Sequence, residues 1–321
     1  MKRAMKRAAR HLFPVALLIA ASCGSPTDDS PTADAGPPPT ADAGPPPTAD
    51  AGPPPTADAG SDDCPTWAFL DLTGASGAGD GYPAPRLQVS CTADKIIVES
   101  NGIPHYRFVQ MTPNDLAAQN YRWEIPRYPA LAVAPTEIPR LGLAAFSITG
   151  IPVYGPNEGP MPAMSAFGDP VYNGITDECF GHTAMRGDYH DHALSERCLN
   201  RDSLVAEPWM NPEPTGTAQS PTLGFSWDGF PILGPHECVD AACSSVVERL
   251  SSYEVTGDPM RNAWDAYTYR DHGDPLYLDR CNGHVGPDGD YHYHATSGFP
   301  YVIGCYAGTP GPGGGGGMMM P

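Results

Sequence analysis

The chain is poor in positive charge, with 18 Lys and Arg against 37 Asp and Glu and a formal net charge of −19 at pH 7. Such a surface repels phosphate backbones and anionic headgroups, which excludes nucleic acid as a partner. Long apolar runs are missing as well. The most apolar stretch, Leu12 to Ala21, has ten residues, where a membrane-spanning helix needs about 20. With 39 Pro and 36 Gly in 321 residues, the chain cannot sustain the long helices of a coiled coil or helical solenoid. Familiar chemical signatures fail too. No CxxC pair is present, no HExxH, and Gly224-Phe-Ser226-Trp-Asp228 lacks the closing glycine of a nucleophile elbow. Asp288-Gly-Asp290 is too short for an EF-hand loop, and Gly311 to Gly317 follows no strand and carries no Lys-Ser/Thr, so it is no phosphate loop.

What is present begins with an address. Lys2, Arg3, Lys6, Arg7 and Arg10 precede the short apolar stretch, and small residues and a cysteine follow it, the pattern of a secretory signal over residues 1–22. Ala20-Ala21-Ser22-Cys23 resembles the lipobox of bacterial lipoproteins, with Ala20 where Leu is usual. That resemblance implies lipidation of Cys23, a membrane contact through the lipid, and, with Gly24 rather than Asp next, an outer-membrane or cell-surface location. Loss of the five basic residues takes the net charge from −19 to −24. Residues 23–62 repeat Thr-Ala-Asp-Ala-Gly-Pro-Pro-Pro from Thr32, Thr40 and Thr48. Pro triplets favour polyproline II and the Asp residues repel one another, so this segment is expected to be a disordered stalk. A Gly/Met tail at 309–321 is likewise low in complexity; its Met318 to Met320 offers thioethers for copper(I), but three consecutive methionines on a glycine tail read as unstructured.

Eight cysteines remain after Cys23, an even number in a chain read as exported. Of 105 connectivities, sequence neighbours favour Cys64–Cys91, Cys179–Cys198, Cys238–Cys243 and Cys281–Cys305. Between them lie short runs bounded by Gly, Pro, Asn and Asp: Lys95 to Val98, Tyr106 to Val109, Ala145 to Ile148, Gly224 to Trp227 and Tyr301 to Ile303. These have strand length and composition. Val246, Val247, Leu250 and Tyr253 have helical spacing and predict a helix over Ala241 to Tyr253. The expected fold over residues 63–308 is therefore a mainly β domain with long loops and one or two short helices.

Internal repetition carries the histidines. Cys179 to His192 aligns without a gap on Cys281 to His294, identical at eight of fourteen positions, and Phe146 to Glu158 aligns on Phe225 to Glu237, identical at seven of thirteen. The order A-B-A-B predicts two duplicated halves related by a pseudo-twofold axis. Each B segment reads C-x-G-H-x4-G-D-Y-H-x-H, giving His182, His190 and His192, then His284, His292 and His294. Histidines at i and i+2 on a strand share a face. A third imidazole brought over that face by the Gly-containing connection would complete a nitrogen site suited to a transition metal, Zn or Cu first. Asp188 and Asp290 are candidates to orient the imidazoles, and Asp188, Asp290, Asp228, Glu158 and Glu237 are candidate bases. None of the five is singled out by spacing, so no catalytic residue is assigned and enzyme status stays open. His105, His236 and His272 lie outside the triplets; His105 could approach the site but is read as a loop histidine, and His236 is read as peripheral.

Tyr291-His292-Tyr293-His294, Ser100-Asn-Gly-Ile-Pro-His105, the Gly-x-Pro-x-x-Gly-Pro segments at 150–156 and 229–235, Cys281-Asn-Gly-His284 and Phe299-Pro-Tyr-Val-Ile-Gly-Cys-Tyr306 together resemble the YHYH family over most of residues 95–308. The first copy departs from the motif, reading Tyr189-His190-Asp191-His192. The resemblance implies an exported, often surface-attached domain, without a reaction. Two other readings stand beside metal binding: a glycan- or protein-binding module with Tyr189, Tyr291, Tyr293, Trp227 and Phe230 as an aromatic platform, and a disulfide-stapled adhesion module.

Overall fold

The structure, a computed structural model, describes residues 64–159 and 168–312. The leader, Cys23, the Pro-rich repeats and Met318 to Met320 lie outside the described residues. Strands β1 (Leu87–Cys91), β2 (Lys95–Ser100) and β3 (Tyr121–Pro126) form an antiparallel sheet. Ile96 and Val98 alternate inward along β2, as a half-buried strand requires. After β4 (Leu131–Glu137) come β5 (Leu143–Ser147), β6 (Pro152–Tyr154), β7 (Gly181–Thr183) and β8 (Tyr189–Asp191). The chain continues through β9 (Thr222–Ser226), β10 (Pro231–Leu233), β11 (His236–Cys238), β12 (Val246–Glu248) and β13 (Tyr253–Val255). It ends with the four-residue helix α1 (Ala263–Ala266), then β14 (Tyr267–Tyr269), β15 (Gly283–Val285), β16 (Tyr291–His294) and β17 (Cys305–Gly308). The mainly β expectation holds.

An eight-stranded sheet positions both histidine segments, in the order β15-β16-β10-β9-β5-β6-β8-β7. Read outward from β5 and β9, each half runs A-segment hairpin, then B-segment hairpin. At the centre the register is reciprocal: Phe146 lies opposite Phe225, Ala145 opposite Ser226 and Ser147 opposite Gly224. Each A hairpin turns at a glycine with left-handed backbone, Gly150 (φ 76°) and Gly229 (φ 89°), a conformation costly for other residues. The core is built on this centre. Trp123 from β3 stacks on Phe146 at 4.9 Å and meets Trp227 edge-on at 6.0 Å. A second buried cluster, with Ile103, Tyr106, Ile151 and Tyr189, lies under the Ser100-to-His105 segment.

Four disulfides join the pairs expected from sequence proximity, each stabilising through loop closure, by about 3 kcal/mol for loops of roughly 20 residues. Three local expectations are corrected. Tyr106 to Val109 and Tyr301 to Ile303 are buried or partly exposed irregular segments, not strands. The expected helix over 241–253 is instead β12 and the start of β13. The Cys238–Cys243 bridge and the Asp240 carboxylate, which accepts the Ala242 and Ser244 N–H groups, reverse the chain tightly. Val246 and Val247 then pair with β11, where β-branched side chains fit better than on a helix.

One glycine in each B segment is required by packing. A Cβ on Gly283 would overlap the Tyr291 hydroxyl and lie 2.6 Å from the His292 carbonyl oxygen. Gly283→Ala is therefore expected to lower stability by about 1–3 kcal/mol, read as a lower urea midpoint, whereas Gly159→Ala, whose Cβ would meet open space on ordinary backbone, should cost less. His105, fully buried with Nε2 2.9 Å from Ser203 Oγ, lies outside both histidine triplets. Burial holds its imidazole down at about 4, below the unfolded value of about 6.5. The sign follows: the unfolded chain binds this proton more readily, so the contribution is complete above pH ~6.5 and lost as pH falls toward ~4, about 3 kcal/mol in all. His105→Gln should flatten that part of the pH–stability curve, measured by urea unfolding between pH 7 and 4.5.

Candidate metal centre

Strand geometry brings the histidines together as the repeat implies. In the second half β15 pairs with β16 so that His284 lies opposite His292, and in the first β7 pairs with β8 so that His182 lies opposite His190. His294 and His192 follow two residues later on the same face. The Cys-x-Gly turn before each outer strand is held by one aspartate. Asp279 Oδ1 accepts the N–H groups of Cys281 and Gly283, while Oδ2 accepts the Tyr291 hydroxyl at 2.9 Å. Asp177 does the same for Cys179, Gly181 and Tyr189, the hydroxyl bond being 2.6 Å. Tyr291 and Tyr293 thus take the core face of β16 and leave His292 and His294 the other.

Each triplet acquires a carboxylate that spacing alone did not single out. Glu158, His182, His190 and His192 form one group, and Glu237, His284, His292 and His294 another; within each, the donor atoms lie within 4.8 Å of one another. His182 Nε2 is 2.7 Å from Glu158 Oε2 and 3.2 Å from His192 Nε2. In the second group His284 Nε2 is 2.9 Å from Glu237 Oε2, His292 Nε2 2.9 Å from Oε1, and the His284 and His294 Nε2 atoms 3.2 Å apart. The signal for the glutamates was in the sequence. Both A segments end Gly-Pro-x-Glu, and the carbonyl of the Gly three residues before the Glu binds an imidazole: Gly155 O to His192 Nδ1 at 2.8 Å, Gly234 O to His294 Nδ1 at 2.7 Å.

Those carbonyl bonds decide the tautomers. In the first group His182 Nδ1 also faces Ile175 O at 2.9 Å and His190 Nδ1 faces Asp188 O at 3.2 Å. Each Nδ1 donates its proton outward, and each Nε2 presents its lone pair inward. Glu158 Oε1 is taken by the Gly159 N–H at 2.7 Å, leaving Oε2, buried and without a hydrogen bond of good geometry, turned to the imidazoles. Burial pushes His190 and His192 down, keeping them neutral. Burial also opposes the charge on Glu158, but His182 and His192 outweigh it and hold the carboxyl well below its usual range. His182 is raised against its own burial by Glu158. In the second group burial depresses His294 to about 3, and Glu237, whose burial is outweighed by His284 and His292, is held low. Neutral imidazoles with an ionised carboxylate are the form that binds metal.

The profile of YHYH proteins matches residues 122–308. The chain belongs to the YHYH family. No curated protein and no solved structure matches it. In this YHYH domain the name-giving tyrosines are structural: Tyr293 donates to Asp228 at 2.5 Å and accepts the Ala307 N–H at 2.7 Å, tying β16 to β17. The first copy has Asp191 there, buried and with its carboxyl pushed well up by burial and by Asp177. Asp188 orients His190 through its backbone carbonyl, not its carboxylate, which accepts the Tyr154 hydroxyl. Asp290 is exposed, and neither it nor Asp228 joins a group. The aromatic platform is overturned, since Tyr189, Tyr291, Tyr293, Trp227 and Phe230 are all buried. His236 lies on β11 outside both groups, as expected.

Beside the second group, a Cβ on Gly286 would sit 2.5 Å from His292 Cε1 and 3.0 Å from Glu237 Oε1; the first copy has Ala184 at this place. Gly286→Ala removes no donor residue but displaces His292 and Glu237. It is expected to weaken metal retention at the second group at least about tenfold with retention at the first unchanged, measured by competition with a chromogenic chelator.

Proposed function

We propose that the protein is an extracytoplasmic, lipid-anchored YHYH domain that binds one divalent transition ion in each histidine–glutamate group. The observation that carries this reading is the convergence of three Nε2 lone pairs and one free carboxylate oxygen, with the ring Nδ1 atoms of the first group committed to backbone carbonyls. Bare lone pairs around a carboxylate repel one another, and a cation converts that repulsion into bonding. Three imidazoles and one carboxylate suit a borderline ion, Zn or Cu before Mg or Ca, which prefer oxygen. When bound, such an ion supplies Lewis acidity or, for Cu, one-electron chemistry. The chain's own contribution is to keep His190, His192 and His294 neutral, to hold each imidazole by its far nitrogen, and to set the donor spacing through strand register.

Export and anchoring rest on the leader, on Cys23 and on the four disulfides, which are consistent with an oxidising compartment. Duplication is supported by the two aligned sequence blocks and by the reciprocal pairing of Phe146 with Phe225. The Pro-rich segment is read as the stalk between membrane and domain.

Metal analysis of the purified chain tests the central claim. Wild type is expected to carry or take up about two Zn or Cu per chain, falling to about one in His190→Ala/His192→Ala and, separately, in His292→Ala/His294→Ala. Failure of the folded wild type to take up either ion at micromolar concentration would overturn it.

A further inference from the structure

The two groups share their donors but not their surroundings. Glu158 has its second oxygen on a neutral backbone N–H, and among the described residues no Arg or Lys pairs with it. Glu237 instead meets Arg249, whose Nε and Nη2 each lie 2.7 Å from Oε2. Both side chains are buried, so solvent does not screen the pair. The donor sets being the same, Arg249 gives the second group one positive charge that the first lacks. A divalent ion entering the second group therefore meets a neighbouring guanidinium and must share Oε2, which already accepts the Arg249 Nε–H with Nη2 beside it.

Access differs in the same sense. His182 is 2 % exposed and capped by the Ile175 carbonyl; its counterpart His284 is 19 % exposed and has no such cap among the described residues. His284 lines a cleft of about 400 Å³ whose walls include Asp271, Asp274 and Asp279. One wall, at Pro275, is tied to the group itself, because Arg249 Nη1 donates to the Pro275 carbonyl at 2.6 Å. An acidic cleft concentrates cations and repels anions. It leads to the more exposed histidine of the group with the lower negative charge.

We propose that the sites are unequal: the first is a closed, slowly exchanging divalent-cation site, and the second an exchangeable one, loaded from the acidic cleft through His284 and kept weaker by Arg249. This rests on the metal reading above. Arg249 acts here as a positioning and affinity-setting residue, through Glu237. The consequence is a domain that retains one ion while releasing another to chelators or partners.

The purified full chain loaded with Zn(II) and mixed with excess chromogenic chelator is expected to release metal in two phases at least about tenfold apart in rate. The fast phase should vanish in His292→Ala and the slow phase in His190→Ala. Arg249→Gln should tighten the second site at least about tenfold, while Arg249→Lys, which keeps the charge, should not. Asp271→Asn/Asp274→Asn leaves both donor sets and the Arg249 contacts intact and should slow only the loading of the fast site, an effect removed by 0.5 M salt. Two equal phases, or a slow phase belonging to the second group, would overturn the proposal while leaving metal binding intact. Failure of either group to take up Zn(II) would instead overturn the metal reading and this inference with it.

Discussion

A buried tyrosine hydroxyl bonded to the aspartate of the preceding turn is the contact on which both sites depend. Asp279 holds the turn before β15 with one oxygen and Tyr291 of β16 with the other, so a single carboxylate sets both the start of one strand and the depth of its neighbour. Shift that bond and His284 no longer stands opposite His292. Asp177 and Tyr189 repeat the arrangement. Asp177 and both tyrosines are buried and Asp279 is half-buried, so leaving one partner of such a bond unsatisfied costs about 1–3 kcal/mol. The requirement for glycine at 181 and 283 has the same origin, because the tyrosine ring crosses the space a side chain would fill.

From that contact the fold extends inward. The B hairpins pair with β6 and β10 in parallel, Val153 with Asp191 and Ile232 with Tyr293, and these strands carry on into β5 and β9. The central pair is sealed by Trp123, Phe146 and Trp227, so the sheet's middle is its most tightly covered part and the histidines sit toward its two ends. Differences between the halves lie outside this frame. His190 is stacked on Tyr154 at 3.9 Å, where the second half has Leu233, and Arg249 comes from beyond β12 with no counterpart in the repeat.

Much of this was legible in the residues. Two-residue spacing of His292 and His294 implied a shared face because side chains alternate on a strand, and the repeat located their partners. Proximity of the cysteines named the four disulfides. The glutamates were visible only as identical residues ending each A segment; that a Gly-Pro turn would return them to a histidine face more than twenty residues away is a tertiary fact with no local signal. Val246 to Tyr253 misled because apolar spacing is silent about a five-residue disulfide loop that forces reversal. The YHYH tyrosines, aromatic beside histidine, suggested a binding surface; alternation turned them inward instead.

One feature of the A segments links the sites to the endurance of the whole domain. The Gly155-to-Glu158 and Gly234-to-Glu237 stretches each supply both a ligand and the carbonyl that aims a histidine. An ion seated there acts as a cross-link between residues 34 positions apart in one half and 57 in the other, adding to the covalent staples a second kind that reductants leave alone and chelators remove. The domain would then carry two independent safeguards against unravelling, each sensitive to a different chemical feature of its surroundings.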